Sequence, residues 1–276
     1  MSWSDSSAET GGDAMAVSVP QSPLGSGRTR AAYVPATTGP AFTAAEHGVL
    51  RRLRTPLAVQ RYLNALPYNT AAAPLTLRSF RGVVRHQTAH CLEAVLLAAT
   101  ALEQHGYPPL VLSFESIDHL DHVLFVYQWR GHWGAVARSR DPGLHGRKAV
   151  FRTTRALALS YVEPYVDLTG RLTGYAVVDL RKLGRYDWRL SERNVWKAER
   201  ILLDHPHRPI RTPDHRVTRW RNRHRAFLTR FPGHKPRFFA GEDSWSELPA
   251  AFRRVIGRGN TRRCGGDLNE ASTGVS

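Results

Sequence analysis

The sequence predicts an α+β fold. Two observations carry that expectation: an Ala- and Leu-rich apolar helix around residues 91–105, and three strand-like runs directly after it. Size agrees, because 276 residues with 42% hydrophobic side chains and 7 Trp can bury a real core within one folded unit.

The elements follow in order. Residues 1–41 are rich in Ser, Ala, Gly and Pro without hydrophobic period, and are expected to be a disordered leader. The folded domain is expected over 42–210. Thr43 and Glu46 have capping-box spacing, with Leu50 and Leu53 on one face behind them. Pro56 restarts the helix, and Leu57, Tyr62 and Leu63 carry its stripe to Leu66. "LPYNTAAAP" reads as a loop in which Tyr68 packs or tethers, and 75–85 as a short helix. "HCLEAVLLAATALEQHGYPP" is the clearest helix, stopped by Gly106 and Pro108 and apolar nearly all round, so it belongs at the centre. Strands are expected at 110–114, 122–129 and 132–139, with Arg130-Gly131 as a tight hairpin turn between the last two. A turn at Asp141-Pro142-Gly143, a helix near 154–163 and a helix over 191–204 with Ser191 as its cap complete the domain. Residues 211–276 read as a basic Arg- and His-rich extension with a disordered tail.

Composition narrows the setting. The chain has only two cysteines, Cys91 and Cys264, which cannot build a disulfide framework and match no metal motif, favouring a reducing compartment. There is no apolar run long enough for a membrane span and no basic start followed by an apolar block, so a cytoplasmic location is expected. The net charge of +16 suits nucleic acid, an anionic membrane or an acidic partner. The excess is almost all arginine, however, which GC-rich coding also produces. Arg219, Arg221, Arg223 and Arg225 alternate with Trp220 near Phe227, a pattern compatible with phosphate contacts and base stacking, or with a solvated helix carrying an aromatic docking face.

Chemistry centres on Cys91. A thiol at a helix N-terminus sits among unpaired N–H groups and the positive end of the helix dipole, both of which favour the thiolate. The same N–H groups can bind an oxyanion. An imidazole across the cleft can hold the proton, and a third polar group can orient that imidazole. His122 opens a strand of strong β character. Counting across the Arg130-Gly131 turn puts it opposite Ser139, with Asp141 as the diagonal neighbour on the same face. Asp141 is therefore the expected orienting carboxylate and Ser139 the fallback. Asp118 could fold back from its loop, whereas Asp121 should point to the other face. Gln87, four residues before Cys91, could donate to the oxyanion or serve as a cap. His90 and His119 read as flanking polar residues, and Glu93 as a satisfied polar group. Asp118, His119, Asp121, His122 and His132 crowd together, but adjacent strand residues face opposite ways, and no metal is expected.

"AHCLEAVLLAATALEQHGYPPLVLSF" and "DHVLFVYQWRGHWGAVARSRDPG" resemble the transglutaminase-like superfamily, and residues 46–210 look like bacterial members of it. The resemblance implies a papain-like fold and a Cys-His-Asp triad falling on Cys91, His122 and Asp141. Two features depart from the pattern: Ala89-His90 replaces the usual glycine before the cysteine, and Trp133 is farther from Asp141 than is common. The implied activity is acyl transfer on a peptide or amide-containing substrate, by hydrolysis or transfer to an amine, without cofactor or metal. The contrasting expectation is a non-catalytic module that binds an acidic partner or nucleic acid through its arginines.

Overall fold

A computed structural model of the chain describes residues 41–70, 74–119 and 121–253. Nearly all of the expected leader, and the tail with Cys264, lie outside them. The first two helices, α1 (Ala44–Arg52) and α2 (Pro56–Ala65), start on threonines. Thr43 and Glu46 form the capping box, and Thr55 caps the helix that Pro56 opens. Helix α3 (Phe80–His86) starts later than expected because Ser79 caps it. Helix α4 (Cys91–Glu103) is buried at every position from Leu92 to Glu103. Its two internal carboxylates survive burial because they are fully partnered. Arg189 grips Glu103 with two bonds of 2.6 and 2.8 Å. Glu93 accepts from Asn69, Thr76 and the backbone of Arg78 and His90.

The described strands are β1 (Leu110–Ser116), β2 (Val123–Trp129), β3 (His132–Val136), β4 (Arg147–Phe151), β5 (Leu172–Asp179) and β6 (Arg208–Pro209). They form one antiparallel sheet in the order β4-β3-β2-β1-β5-β6. Trp129 pairs with His132 and Phe125 with Val136, the register counted from the Arg130-Gly131 turn. Both turn residues have positive φ, 49° and 78°, the mirror-image turn that suits a twisted hairpin. Strand β3 ends at Val136, however, short of Ser139. Strands β4 to β6 were not foreseen.

Both faces of the sheet are covered, so "HVLFVYQW" is apolar without alternation. Val111, Phe125, Val136 and Val178 pack with α4 in one core. Leu112, Phe114, Leu124 and Val126 pack in a second core with α5 (Thr154–Leu159), α6 (Val162–Tyr165) and a later helix. Helix α7 (Trp196–Leu203) begins after Val195, while the side chain of Ser191, the expected cap, accepts from Arg193 N. The later helix, α8 (Asp214–Arg230), contributes Val217 and Trp220 to the second core. Packing therefore continues across residue 210, where a domain boundary was expected. Beyond α8, Phe239, Trp245 and Leu248 form a third cluster. That segment is fastened to the domain by Lys148 to Asp243 O (2.8 Å), Ser246 N to Gly146 O (3.0 Å) and an Arg61–Glu247 pair (2.7 Å). No described helix is long and apolar enough to cross a membrane.

Candidate active site around Cys91

Cys91 is the first residue of α4. The cap is His90, whose side chain accepts from Leu92 N, while Glu93 reaches back to His90 N. The preceding strand-like pair, Tyr68 with Ala89, zips the 67–69 loop alongside and brings the Tyr68 ring to the helix start. His122 comes from the other side, immediately before β2, its carbonyl bonded to Phe114 N at 2.9 Å. Cys91 is half-buried and its thiol is hydrogen-bonded to both His122 and His90. Burial pushes the thiol up, but those two hydrogen bonds, and then the charges of the same rings, outweigh it and bring the pKa down to about 6. The two rings thus favour the thiolate.

His122 Nε2 lies 2.8 Å from the carbonyl oxygen of Leu144, and the histidine is buried at 4% exposure. A carbonyl only accepts, so Nε2 carries a proton, and Nδ1 is the nitrogen left to exchange a proton with the thiol. The expected partner, the Asp141 carboxylate, is elsewhere: it pairs with Lys235 at 2.7 Å and is 44% exposed. The diagonal count assumed a continuing ladder, but after Val136 the chain leaves the sheet and enters a 3-10 turn at Pro142–Leu144. That turn substitutes a backbone carbonyl for the carboxylate. Ser139, the fallback, accepts from Asp141 N at 3.1 Å and so braces the turn. Asp118 and Asp121 both bond to Ser116. Gln87 is exposed, its backbone left-handed at the end of α3, with its amide bonded to Val84 O and Tyr62. Among the described residues no group of three or more His, Cys, Asp or Glu is placed to hold a metal ion.

The turn that carries the Leu144 carbonyl is clamped from inside. Arg147 is fully buried and donates to Gly143 O (2.6 Å), His145 O (2.9 Å) and Ser160 O (3.3 Å). Its guanidinium lies 4.0 Å from the Tyr161 ring centroid and 5.0 Å from that of Trp245. Tyr161 adds a hydroxyl bond to His145 O at 2.9 Å. His145 donates from Nδ1 to Asp141 O (3.0 Å) and accepts at Nε2 from Arg138 (3.2 Å), a geometry that requires the neutral ring. Burial, then the Arg138, His122 and Arg147 charges, push its pKa down to about 3 against the Asp141 carbonyl. Gln60 fastens Ala137 to α2 by bonds at both its carbonyl (2.9 Å) and its N–H (3.0 Å). Gly146 lies so close to Gln60 that a Cβ there would stand 2.3 Å from Oε1.

Tyr68 completes the constellation. The Cys91 N–H donates to its oxygen, and the hydroxyl also meets the thiol. Burial, followed by the thiolate charge, pushes Tyr68 above its ordinary pKa, so it stays a donor. Two arginines face its ring, Arg138 at 5.8 Å and Arg140 at 6.0 Å. In the sequence Tyr68 has the marks of a tether and His90 those of a flanking polar residue, and Leu144, His145 and Arg147 carry no signal. No local pattern marks them, since each acts through contacts made by distant segments. On the basic helix α8, Trp220 is buried in the second core and Phe227 packs on Phe231 and Phe238, so the base-stacking pattern loses its central tryptophan. No protein-family model and no curated protein matches the chain.

Proposed function

We propose that the protein is a cysteine-dependent acyl-transfer enzyme of transglutaminase-like type, with a papain-like arrangement of helix-borne Cys91 and sheet-borne His122. One observation carries the proposal. The Cys91 thiol, at the N-terminus of a buried helix, is hydrogen-bonded to a histidine and held down to about pKa 6. The substrate class is a peptide or other amide.

In the first half-reaction the Cys91 thiolate attacks the amide carbonyl carbon and a C–S bond forms. The oxyanion is received by the Cys91 N–H, with the Tyr68 hydroxyl as a second donor once it turns from the thiol. His122 gives the proton it took from the thiol to the leaving nitrogen as the C–N bond breaks, leaving a thioester. Water, or an amine in its place, then attacks the thioester carbonyl, passes a proton to His122 Nδ1 and expels the thiolate. The Leu144 carbonyl keeps Nε2–H in place throughout and so fixes the tautomer. It lacks the full charge of a carboxylate, so the imidazolium is held mainly by the thiolate facing it.

The test is alkylation of the native chain by iodoacetamide across pH, with the labelled cysteine mapped by mass spectrometry. Labelling of Cys91 is expected to rise with a midpoint near 6, and in His122→Ala to move towards the free-thiol value of about 8.5. A Cys91 that is inert, or that titrates like a free thiol in the wild type, overturns the proposal.

A further inference from the structure

The proposed site has a cation beside it that no catalytic step requires. Of the two arginines facing Tyr68, Arg138 is buried and already engaged by Leu66 O (2.8 Å) and His145. Arg140 is different: its side chain is exposed, and no carboxylate among the described residues pairs with it. Its guanidinium carbon stands 6.0 Å from the ring centroid of Tyr68, the residue whose hydroxyl meets the thiol and N–H of Cys91.

The nearby acids are already committed. Asp141, next in sequence, is neutralised by Lys235 at 2.7 Å, and Glu93 is buried behind the helix start with four donors on it. With Asp141 and Lys235 neutralising each other and Glu93 buried, Arg140 is the exposed charge beside Tyr68 that no described carboxylate offsets. An exposed, unpaired guanidinium at that place is suited to a carboxylate, which it can bind through two parallel N–H bonds.

We propose that Arg140 is a specificity-determining residue that binds an anionic group of the substrate, so that Cys91 acts on amides carrying a carboxylate close to the reacting carbonyl. This rests on the acyl-transfer reading of Cys91 and names the substrate class for it. Arg140 does not touch the reacting atoms. It selects by attraction, and the preference weakens as salt rises.

Two alkylating reagents of nearly equal shape test it without knowledge of the natural substrate. Iodoacetate carries a carboxylate next to the reacting carbon, iodoacetamide a neutral amide, and in both the thiolate displaces iodide. The rates at Cys91 are measured at pH 7 on the full chain, with Cys264 as the internal reference. The iodoacetate to iodoacetamide ratio at Cys91, divided by that at Cys264, is expected to fall about threefold in Arg140→Gln, the size expected in water when the reagent's carboxylate docks about 6 Å from the guanidinium. Arg140→Lys should keep most of the ratio. A ratio unchanged in Arg140→Gln, with Cys91 still reactive at a midpoint near 6, overturns this inference alone. A Cys91 inert to both reagents overturns the acyl-transfer reading and this inference together.

Discussion

Replacing Asp141 by Asn separates the geometry seen here from a carboxylate-oriented triad. Asn is nearly isosteric and keeps the extended backbone that Asp141 adopts before Pro142 (φ −113°, ψ 131°). Among the described residues the ion pair removed is that with Lys235, whose partners are 44% and 48% exposed. An exposed pair of this kind contributes about 0–1 kcal/mol, so the urea midpoint should move little. His122 Nε2 keeps its 2.8 Å contact to Leu144 O, so the tautomer is unchanged. Freeing Lys235 leaves one more positive charge near the thiolate, so any shift of the Cys91 midpoint is downward. Iodoacetamide labelling at pH 7 should therefore stay within about twofold of wild type, as expected when a mutation leaves a group's hydrogen bonds intact. If the carboxylate instead oriented the imidazole, the loss should be on the order of a hundredfold or more. A drop beyond tenfold, or an upward shift of about one pH unit in the labelling midpoint, would refute the assignment of the Leu144 carbonyl.

His145 predicts how the fold responds to acid. Its folded pKa of about 3 lies below the unfolded value near 6.5, so the unfolded chain binds the extra proton between those limits. Its contribution is therefore complete above about pH 6.5 and is lost as pH falls, by roughly 3 kcal/mol at pH 4.5. Urea unfolding at pH 7 and 4.5 should show that His145→Gln removes most of this loss, and equal pH dependence in the two proteins would contradict it. Arg147→Lys keeps the charge but loses the fork that holds Gly143 O and His145 O together. Its expected cost is about 2–4 kcal/mol in urea. A slower Cys91 labelling rate measured well below the unfolding midpoint would show that the turn positions His122, and an unchanged rate would show that it does not.

The chain's periodicities carried most of the architecture. The Thr43 capping box, the Pro56 restart, the apolar helix at Cys91 and the Arg130-Gly131 register are local or nearest-neighbour features, governed by capping, turn geometry and burial. Strands β4 to β6 were not legible. Strand β4 has mixed burial, β6 is only two residues long, and β5 follows two short helices with no hairpin turn to announce it. The burial of α8 against the second core was hidden for another reason. Arginine so dominates that helix that Val217 and Trp220, its buried anchors, read as isolated apolar residues.

The same division runs through the site. Sequence by itself determined that a cysteine begins a buried helix and that a histidine leads into a facing strand, because both follow from the spacing of apolar residues. Tertiary structure alone decided what orients that histidine. A backbone carbonyl has no sequence signature, and its position at Leu144 depends on where the chain leaves β3 and on a buried arginine gripping the turn. It decided equally that Asp141 turns to Lys235, ninety-four residues away, while Tyr68 closes on the thiol from a loop before the helix. Side-chain partners across such separations are set by packing, which single-residue patterns do not encode.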